Sequence, residues 1–263
     1  MNGERPTRGA PDRGNRLAIL GGGITGAGAA WELARRDYEV VLFERNLCGA
    51  QTSSATTKMV HGGLRYLEHL QFGLVRESLR ERAWLLEHAA PLVQPLEILL
   101  PIHDRGPRRK STIRLGLLLY DLLAGRATLA RSRFHDAQAL QRRVPLRAEG
   151  LRGGFSYWDA QVDDYALVRS VIASAIRDGA TVRERTPVDA LVRAGEQWIV
   201  RTAHGVEPRF ELIVNAAGPW MNELLRANGI AAPYTLSLVR GSHLVLKKQV
   251  SDVGLLLQST TDT

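Results

Sequence analysis

The sequence predicts an α/β fold, and three neighbouring features near its amino terminus carry that prediction. Residues 17–20 form a short apolar run ahead of three glycines, which is typical of a buried parallel strand. A helical pattern follows as far as Arg36, and residues 39–43 have the composition of a second strand. A strand, a helix and a second strand in this order form a βαβ unit. We therefore predict a Rossmann-like domain.

Glycines occupy the G-x-G-x-x-G positions at the start of the predicted helix. They are Gly21, Gly23 and Gly26. The chain must turn sharply there and approach a pyrophosphate closely, and the free N–H groups of the helix start can bind that anion. Gly28 adds a fourth small residue where helix and strand are expected to approach. Glu44, at the end of the second strand, can accept hydrogen bonds from both ribose hydroxyls and disfavours the 2′-phosphate of NADP. The unit predicts a dinucleotide, either NAD or FAD.

Composition and charge exclude several classes of protein. The 263 residues are 44% hydrophobic and 24% charged, as in an ordinary globular protein. The net charge of +8 comes mainly from arginine, but no basic patch is interleaved with aromatic residues, so we expect no nucleic-acid partner. The single cysteine, Cys48, excludes an internal disulfide and a multi-cysteine metal site, and we expect no metal.

Two segments bear on localisation. Residues 1–14 are polar, rich in Gly, Pro and Arg, and without a secretory signal, so we expect a disordered leader and a cytoplasmic protein. Residues 113–125 are apolar but too short to span a membrane, and they follow a basic stretch at 105–110. This segment is either a buried helix or a helix that lies on an anionic membrane surface, which would make the protein peripheral on the inner face of the cytoplasmic membrane.

Residues 48–63 do not have the pattern of a helix or strand. An NAD enzyme usually continues its sheet at this point, whereas here small and hydroxyl side chains return toward the glycine loop. Such a segment suits an extended cofactor and favours FAD. Its hydroxyl residues are Thr52, Ser53, Ser54, Thr56 and Thr57.

Five motifs carry a resemblance to a known family. From about Asn15 to Gln258, the chain resembles FAD-dependent glycerol-3-phosphate dehydrogenase, a flavoprotein of the glutathione-reductase/D-amino-acid-oxidase type. The motif HGGLRYLEH is specific to that family, and the others are shared more widely among flavin oxidoreductases. In chain order the motifs are GGGITGAG, SSATTKMVHGGLRYLEH, WDAQVDDYALV, VNAAGPW and RGSHLVL.

The resemblance implies an activity and partners. The activity is oxidation of sn-glycerol 3-phosphate to dihydroxyacetone phosphate, with hydride passed to FAD and electrons passed on to the quinone pool. Another FAD-dependent hydroxy-acid or amine oxidoreductase of the same fold, and a non-catalytic FAD-binding fragment, are the alternatives. A homodimer and attachment to a membrane surface are left open.

The resemblance also assigns roles to residues. His243 is the expected base, and Arg65 and Tyr66 are the expected substrate residues, with arginine suited to a phosphate. The residues expected to contact FAD are Gly21, Gly23, Gly26, Glu44, Thr52, Ser53, Ser54, Thr57, Lys58, His61, Gly62, Gly63, Leu64, Val188, Ala217, Gly218 and Trp220.

The predicted organisation is a discontinuous FAD-binding domain with an interleaved, incomplete α+β substrate domain. We assign residues 15–90 and 156–225 to the first, and residues 91–155 and 226–263 to the second. Within the first, residues 180–205 predict an antiparallel layer that turns near Gly195, and residues 211–215 predict a buried strand. Family members are much longer, so we expect a truncated chain. The fold of its FAD-binding half should be recognisable, and catalysis by this chain on its own is doubtful.

Overall fold

The computed structural model describes residues 16–104, 106–127, 129–239, 241–249 and 251–258. The predicted leader, residues 1–14, lies outside this part of the chain. The described residues divide into two compact units, the first within residues 16–56 and 164–242 and the second within residues 57–163 and 243–258.

These boundaries differ from the predicted ones. A boundary at 155/156 would cut the long strand Leu151–Val162, which pairs along its length with Val93–His103. A boundary at 90/91 would separate that sheet from the helix Phe72–His88, which packs on it. Continuous hydrogen bonding between the two strands therefore keeps these segments in one unit.

The first unit is built around a parallel sheet of four strands, in the order Leu212–Asn215 (β11), Arg16–Leu20 (β1), Glu39–Phe43 (β2) and Thr181–Arg183 (β7). The central strands β1 and β2 are both buried, and burial was predicted for β1. The strand β11 was predicted to be buried, and this is wrong, because it lies at the edge of the sheet with Leu212 53% exposed. The elements of this unit are β1 (Arg16–Leu20), α1 (Ile24–Arg35), β2 (Glu39–Phe43), α5 (Asp164–Arg177), β7 (Thr181–Arg183), β8 (Val188–Ala194), β9 (Gln197–Thr202), β10 (Gly205–Phe210), β11 (Leu212–Asn215) and α6 (Met221–Ala227).

Two helices and an antiparallel sheet pack against the parallel sheet of the first unit. Helices α1 and α5 pack together in one core cluster, where alanines such as Ala27 and Ala30 allow close approach. The antiparallel sheet β10-β9-β8 belongs to another cluster, in which the rings of Phe43 and Phe210 meet edge to face at 6.1 Å. The predicted antiparallel layer and its turn at Gly195 are thus present. Strand β7, which we had assigned to that layer, instead pairs with β2 in the parallel sheet.

The second unit is a mainly antiparallel sheet in the order β12-β4-β6-β3, with β5 also paired to β6. Helices α2 and α3 share a core cluster with this sheet, and α4 contributes to a separate small cluster. The elements of this unit are β3 (Met59–Val60), α2 (Phe72–His88), β4 (Val93–His103), α3 (Lys110–Ala124), β5 (Arg133–His135), α4 (Ala137–Arg143), β6 (Leu151–Val162) and β12 (Gly254–Leu255).

Helix α3 contains most of the apolar segment for which two interpretations were left open. It buries one side, including Ile113 and Leu117, against the core of the second unit. Its other side exposes Leu115, Leu118 and Leu122, with Leu122 74% exposed. The helix therefore has one apolar face that is buried in the second unit and another apolar face that is exposed. Within the described ranges, the structure contains no helix of the length and hydropathy that crossing a membrane requires.

Candidate functional site

A cavity of about 460 Å³ opens in the first unit, where β1 and β2 end and α1 begins. In a parallel sheet this edge is where nucleotides bind, and the volume lies in the range of small-molecule sites, roughly 300–1,000 Å³. Nine of the predicted cofactor residues line it: Gly21, Gly23, Glu44, Thr52, Ser53, Val188, Ala217, Gly218 and Trp220.

The glycine loop is packed too tightly for side chains at two of its predicted positions. Gly21 has a φ of +109°, and a Cβ there would lie 2.4 Å from the carbonyl oxygen of Ala216. A Cβ on Gly26 would lie 1.9 Å from the carbonyl oxygen of Gly21. The helix start and the loop therefore touch backbone to backbone. The prediction for Gly28 is wrong, because nothing lies within 4 Å of the Cβ position at that residue.

The hydroxyl segment returns to the glycine loop, as predicted. The N–H of Gly49 donates to the carbonyl of Gly22 at 2.9 Å. The Ser53 hydroxyl oxygen accepts from the N–H of Ile24 at 3.0 Å, in the first turn of α1. That turn carries no acidic side chain. The helix dipole and its N–H groups are thus directed at the cavity without a competing carboxylate in the turn, which suits a phosphate group.

Glu44 connects the end of β2 to the glycine loop. Its carboxylate accepts from the N–H of Gly22 at 2.7 Å and from the N–H of Asn46 at 2.8 Å, and the residue is 8% exposed. Each carboxylate oxygen has more than one acceptor site, so these bonds leave capacity for ribose hydroxyls. Glu44 therefore has a structural role that the sequence did not indicate, in addition to the predicted one.

The lining of the cavity includes a residue, Arg45, that the sequence analysis did not predict. The guanidinium carbon of Arg45 lies 4.1 Å from the centre of the Trp220 ring, a cation–π contact between two cavity-lining residues. Asn215 shapes the same lining, since its side chain accepts from the N–H of Ala217 and donates to the carbonyl of Met221, both at 3.2 Å. The sequence signal that could have identified Arg45 as a cavity residue is its position directly after Glu44.

Cys48 borders the glycine loop but is not a nucleophile. Its side chain is fully buried, and a Cβ on Gly22 would lie 2.5 Å from its sulfur. Burial raises the pKa of the Cys48 thiol to about 12, and the negative charges of Glu184 and Glu44 act in the same direction. The thiol therefore stays protonated near neutral pH.

The other predicted site residues do not line this cavity. The Ser54 hydroxyl donates to the carbonyl of Gln51 at 3.0 Å. Thr57, Lys58 and the segment from His61 to Tyr66 belong to the second unit. His243 lies in an exposed segment without regular secondary structure.

Arg65 and Tyr66 lie on a 3₁₀ turn, Leu64–His69, in the second unit. Arg65 is exposed and Tyr66 is 40% exposed. Gly63 precedes the turn with a φ of +73°, and a Cβ there would lie 2.4 Å from the Tyr66 ring. The tyrosine ring therefore packs directly on the Gly63 backbone, while the guanidinium of its neighbour faces solvent.

Comparison with known proteins decides the family. A family model described as FAD dependent oxidoreductase matches residues 16–261. The chain belongs to this family. Its relatives include D-erythritol 1-phosphate dehydrogenase of Brucella abortus, 40% identical over 88% of this chain and 47% of the relative. A glycerol-3-phosphate dehydrogenase of Pseudomonas aeruginosa is 40% identical over 88% of this chain and 45% of the relative. The chain thus spans less than half the length of these relatives.

Solved structures agree with this family. The glycerol-3-phosphate dehydrogenase of Bacillus halodurans, solved in complex with FAD, matches with a TM-score of 0.60 and 25% identity, over 82% of this chain and 36% of the other. The L-alpha-glycerophosphate oxidase of Mycoplasma pneumoniae, also with FAD bound, matches with a TM-score of 0.63 and 16% identity, over 83% of this chain and 58% of the other. The second match concerns the fold alone. The predicted fold class and family are confirmed.

The residues of the cavity fit the adenosine and pyrophosphate part of FAD. The contacts of Gly21 and Gly26 leave no room for side chains between the helix start and the loop, so backbone N–H groups can approach a phosphate. A carboxylate, Glu44, lies at the edge where the ribose of a dinucleotide is bound, and Val188 lines the same cavity.

Proposed function

We propose that this chain is the FAD-binding part of a dehydrogenase that oxidises sn-glycerol 3-phosphate to dihydroxyacetone phosphate. The observation that carries the proposal is the identity of 36–40% to several glycerol-3-phosphate dehydrogenases over 88–92% of this chain. Bound FAD would supply an acceptor for the hydride that leaves the alcohol carbon. The chain itself would bind and orient the reactants and move one proton.

The cofactor would be held by two sets of residues. Gly21, Gly23, Gly26, Glu44 and Val188 would bind its adenosine and pyrophosphate part in the cavity, with the hydroxyls of Thr52 and Ser53. Flavin-side contacts are proposed for Lys58, His61 and the loop that contains Ala217, Gly218 and Trp220. The remaining proposed cofactor contacts are Ser54, Thr57, Gly62, Gly63 and Leu64.

The substrate residues are proposed from the resemblance and from exposure. Arg65 offers a planar guanidinium that can bind two phosphate oxygens at once, and its exposure in the second unit leaves it accessible. Tyr66 presents a hydroxyl beside it. His243 would accept the proton of the substrate hydroxyl.

A second candidate substrate is D-erythritol 1-phosphate. The observation that favours it is the 40% identity to a dehydrogenase of that compound. Both candidates are polyol monophosphates, so the proposed contact between Arg65 and a phosphate is the same for either. Oxidation of a hydroxy acid or an amine, or FAD binding without catalysis, would leave that contact without a role.

The test is anaerobic reduction of the bound flavin, which is monitored through the visible absorbance of the oxidised flavin. We expect glycerol 3-phosphate to bleach the flavin, and Arg65→Ala to weaken the response to substrate at least tenfold. The control is Arg80→Ala, which removes an exposed arginine of helix α2 and should behave as the unmodified chain. Faster bleaching by D-erythritol 1-phosphate would favour the second candidate. A flavin that every polyol phosphate leaves oxidised would exclude both for this chain.

Attachment to a membrane surface is a further part of the proposal. Helix α3 exposes Leu115, Leu118 and Leu122, and the residues before it are basic. Arg108 pairs with Glu68 through bonds of 2.5 and 2.9 Å, so part of this positive charge is already balanced. The apolar face and the remaining basic residues suit an anionic lipid surface, where a quinone acceptor would also be found.

The same face of α3 could instead be covered by a second copy of the chain, as in the homodimer left open above. Light scattering after size-exclusion chromatography, with and without detergent, distinguishes a membrane surface from a second copy of the chain on this face. A dimer that persists in detergent favours a protein interface.

A further inference from the structure

A buried polar network lies in the second unit, and its residues are not among those that line the dinucleotide cavity. Arg82 of α2, Tyr120 of α3 and Asp159 of β6 are each no more than 2% exposed. A terminal nitrogen of Arg82 lies 2.8 Å from Asp159 Oδ1, and the Tyr120 hydroxyl donates to the same oxygen at 2.6 Å. Burying an ion pair carries a desolvation cost that apolar side chains of similar size avoid. Such a network therefore needs a reason other than stability.

The network converges on one backbone group. The N–H of Gly62 donates to the Tyr120 hydroxyl at 2.8 Å and to Asp159 Oδ1 at 3.2 Å. The side chain of Leu79 and the Tyr120 hydroxyl occupy the space where a Cβ of residue 62 would be, at 2.4 and 2.5 Å. Gly62 is thus fixed both by hydrogen bonds and by packing. It lies between His61 and the turn that carries Arg65.

The carboxylate is itself held in place by a fixed guanidinium. The terminal nitrogens of Arg82 also donate to the carbonyl of Trp158 at 2.8 Å and to the carbonyl of Ala127 at 2.9 Å. Strand β6 and the turn at Ala127 thereby orient Arg82, and Arg82 orients Asp159. Burial and the charge of Asp159 raise the pKa of Tyr120, so its hydroxyl keeps its proton and continues to donate.

We infer that Tyr120 and Asp159 are positioning residues that fix the main chain at Gly62, and through it the direction of His61 on one side and of Gly63, Arg65 and Tyr66 on the other. The inference rests on the proposed function, because His61 and Gly63 are proposed cofactor contacts and Arg65 and Tyr66 the proposed substrate contacts. The network acts through the backbone and touches neither flavin nor substrate.

Amide exchange at Gly62 tests the inference without any cofactor. Tyr120→Phe removes the hydroxyl that accepts from Gly62 and keeps the ring. Tyr157→Phe is the matched control, since Tyr157 is 4% exposed and its ring packs edge to face on Tyr120 at 6.0 Å. We expect exchange at Gly62 to be about tenfold faster in Tyr120→Phe than in Tyr157→Phe, the effect of losing one hydrogen bond.

The bound flavin provides the second readout. With FAD added, the absorption spectrum of Tyr120→Phe should shift relative to the unmodified chain, and that of Tyr157→Phe should not. Equal exchange at Gly62 in the two variants would overturn the inference, and so would a flavin spectrum that responds equally to both. If the unmodified chain binds no FAD, the proposed function fails, and the Gly62 exchange rates still decide the inference.

Asp159→Asn is a second variant for the same measurement. It keeps the shape of the side chain but removes the charge that Arg82 faces, so we expect faster Gly62 exchange than in Tyr157→Phe. If the variant unfolds, Tyr120→Phe alone decides, because it leaves the ion pair intact.

Discussion

Replacing Gly26 or Gly28 by alanine makes the same chemical change two residues apart on α1, with opposite expected results. At Gly26 the new Cβ would lie 1.9 Å from the carbonyl oxygen of Gly21, whereas at Gly28 nothing lies within 4 Å. Contacts of a Cβ below 3.0 Å essentially do not occur, so α1 and the glycine loop would have to separate by more than 1 Å in Gly26→Ala.

The magnitude follows from comparing the two variants. Alanine in a helix interior is favoured over glycine by about 0.5–1 kcal/mol at both positions, so this term cancels in the comparison. What remains is the cost of overpacking at Gly26, about 1–3 kcal/mol. We expect Gly26→Ala to be less stable than Gly28→Ala by that amount in urea denaturation, and Gly28→Ala to equal or exceed the unmodified chain.

FAD titration should separate the same pair. Displacing the loop removes backbone N–H groups from the proposed phosphate position, so Gly26→Ala should bind FAD at least tenfold more weakly, while Gly28→Ala should bind as the unmodified chain does. Equal stability and equal FAD affinity in the two variants would refute the packing of the glycine loop described above.

Three further predictions concern other parts of the chain. Burial raises the pKa of Cys48 from about 9 to about 12, so the contribution of its protonated thiol to the free energy of unfolding is complete below pH 9 and is lost as the pH rises toward 12. The unfolding free energy of the unmodified chain minus that of Cys48→Ala should therefore fall by about 1.4 kcal/mol per pH unit in that window. A difference that stays constant with pH would contradict the raised pKa. Glu44→Ala leaves the N–H groups of Gly22 and Asn46 without their carboxylate acceptor, and should lower the unfolding free energy by about 1–3 kcal/mol in urea denaturation; an unchanged midpoint would show that Glu44 does not brace the loop. Leu118→Glu should reduce co-sedimentation with anionic vesicles and leave the thermal midpoint unchanged, and equal sedimentation of both chains would argue against the α3 face as the membrane contact.

Local patterns account for what the sequence predicted well. The βαβ unit and the glycine positions Gly21, Gly23 and Gly26 lie within one short stretch. The contact of Gly26 with Gly21 is made inside it, whereas Gly21 also packs against the distant Ala216. The return of the hydroxyl segment to the glycine loop was predicted from its composition, which suits an extended cofactor. The bond from the N–H of Ile24 to the Ser53 hydroxyl is where this return reaches the helix start.

Long-range pairing accounts for the main differences. The domain boundary depends on β4 and β6, in which Leu99 pairs with Ser156 across more than 50 positions of sequence, and no local pattern encodes that pairing. The edge position of β11 depends on strand order in the same way. The missed contact between Arg45 and Trp220 joins distant segments, and neither residue type predicts the other.

The central claim is that the first unit of this chain binds FAD at the glycine loop. The most direct measurement is an equilibrium titration of the purified chain with FAD, followed by flavin absorbance and fluorescence, with Gly26→Ala and Gly28→Ala measured alongside. We expect one FAD per chain for the unmodified protein and for Gly28→Ala, and weakened binding for Gly26→Ala. A folded chain that binds no FAD, or that binds it equally in all three forms, would show that FAD is not bound at the glycine loop as described.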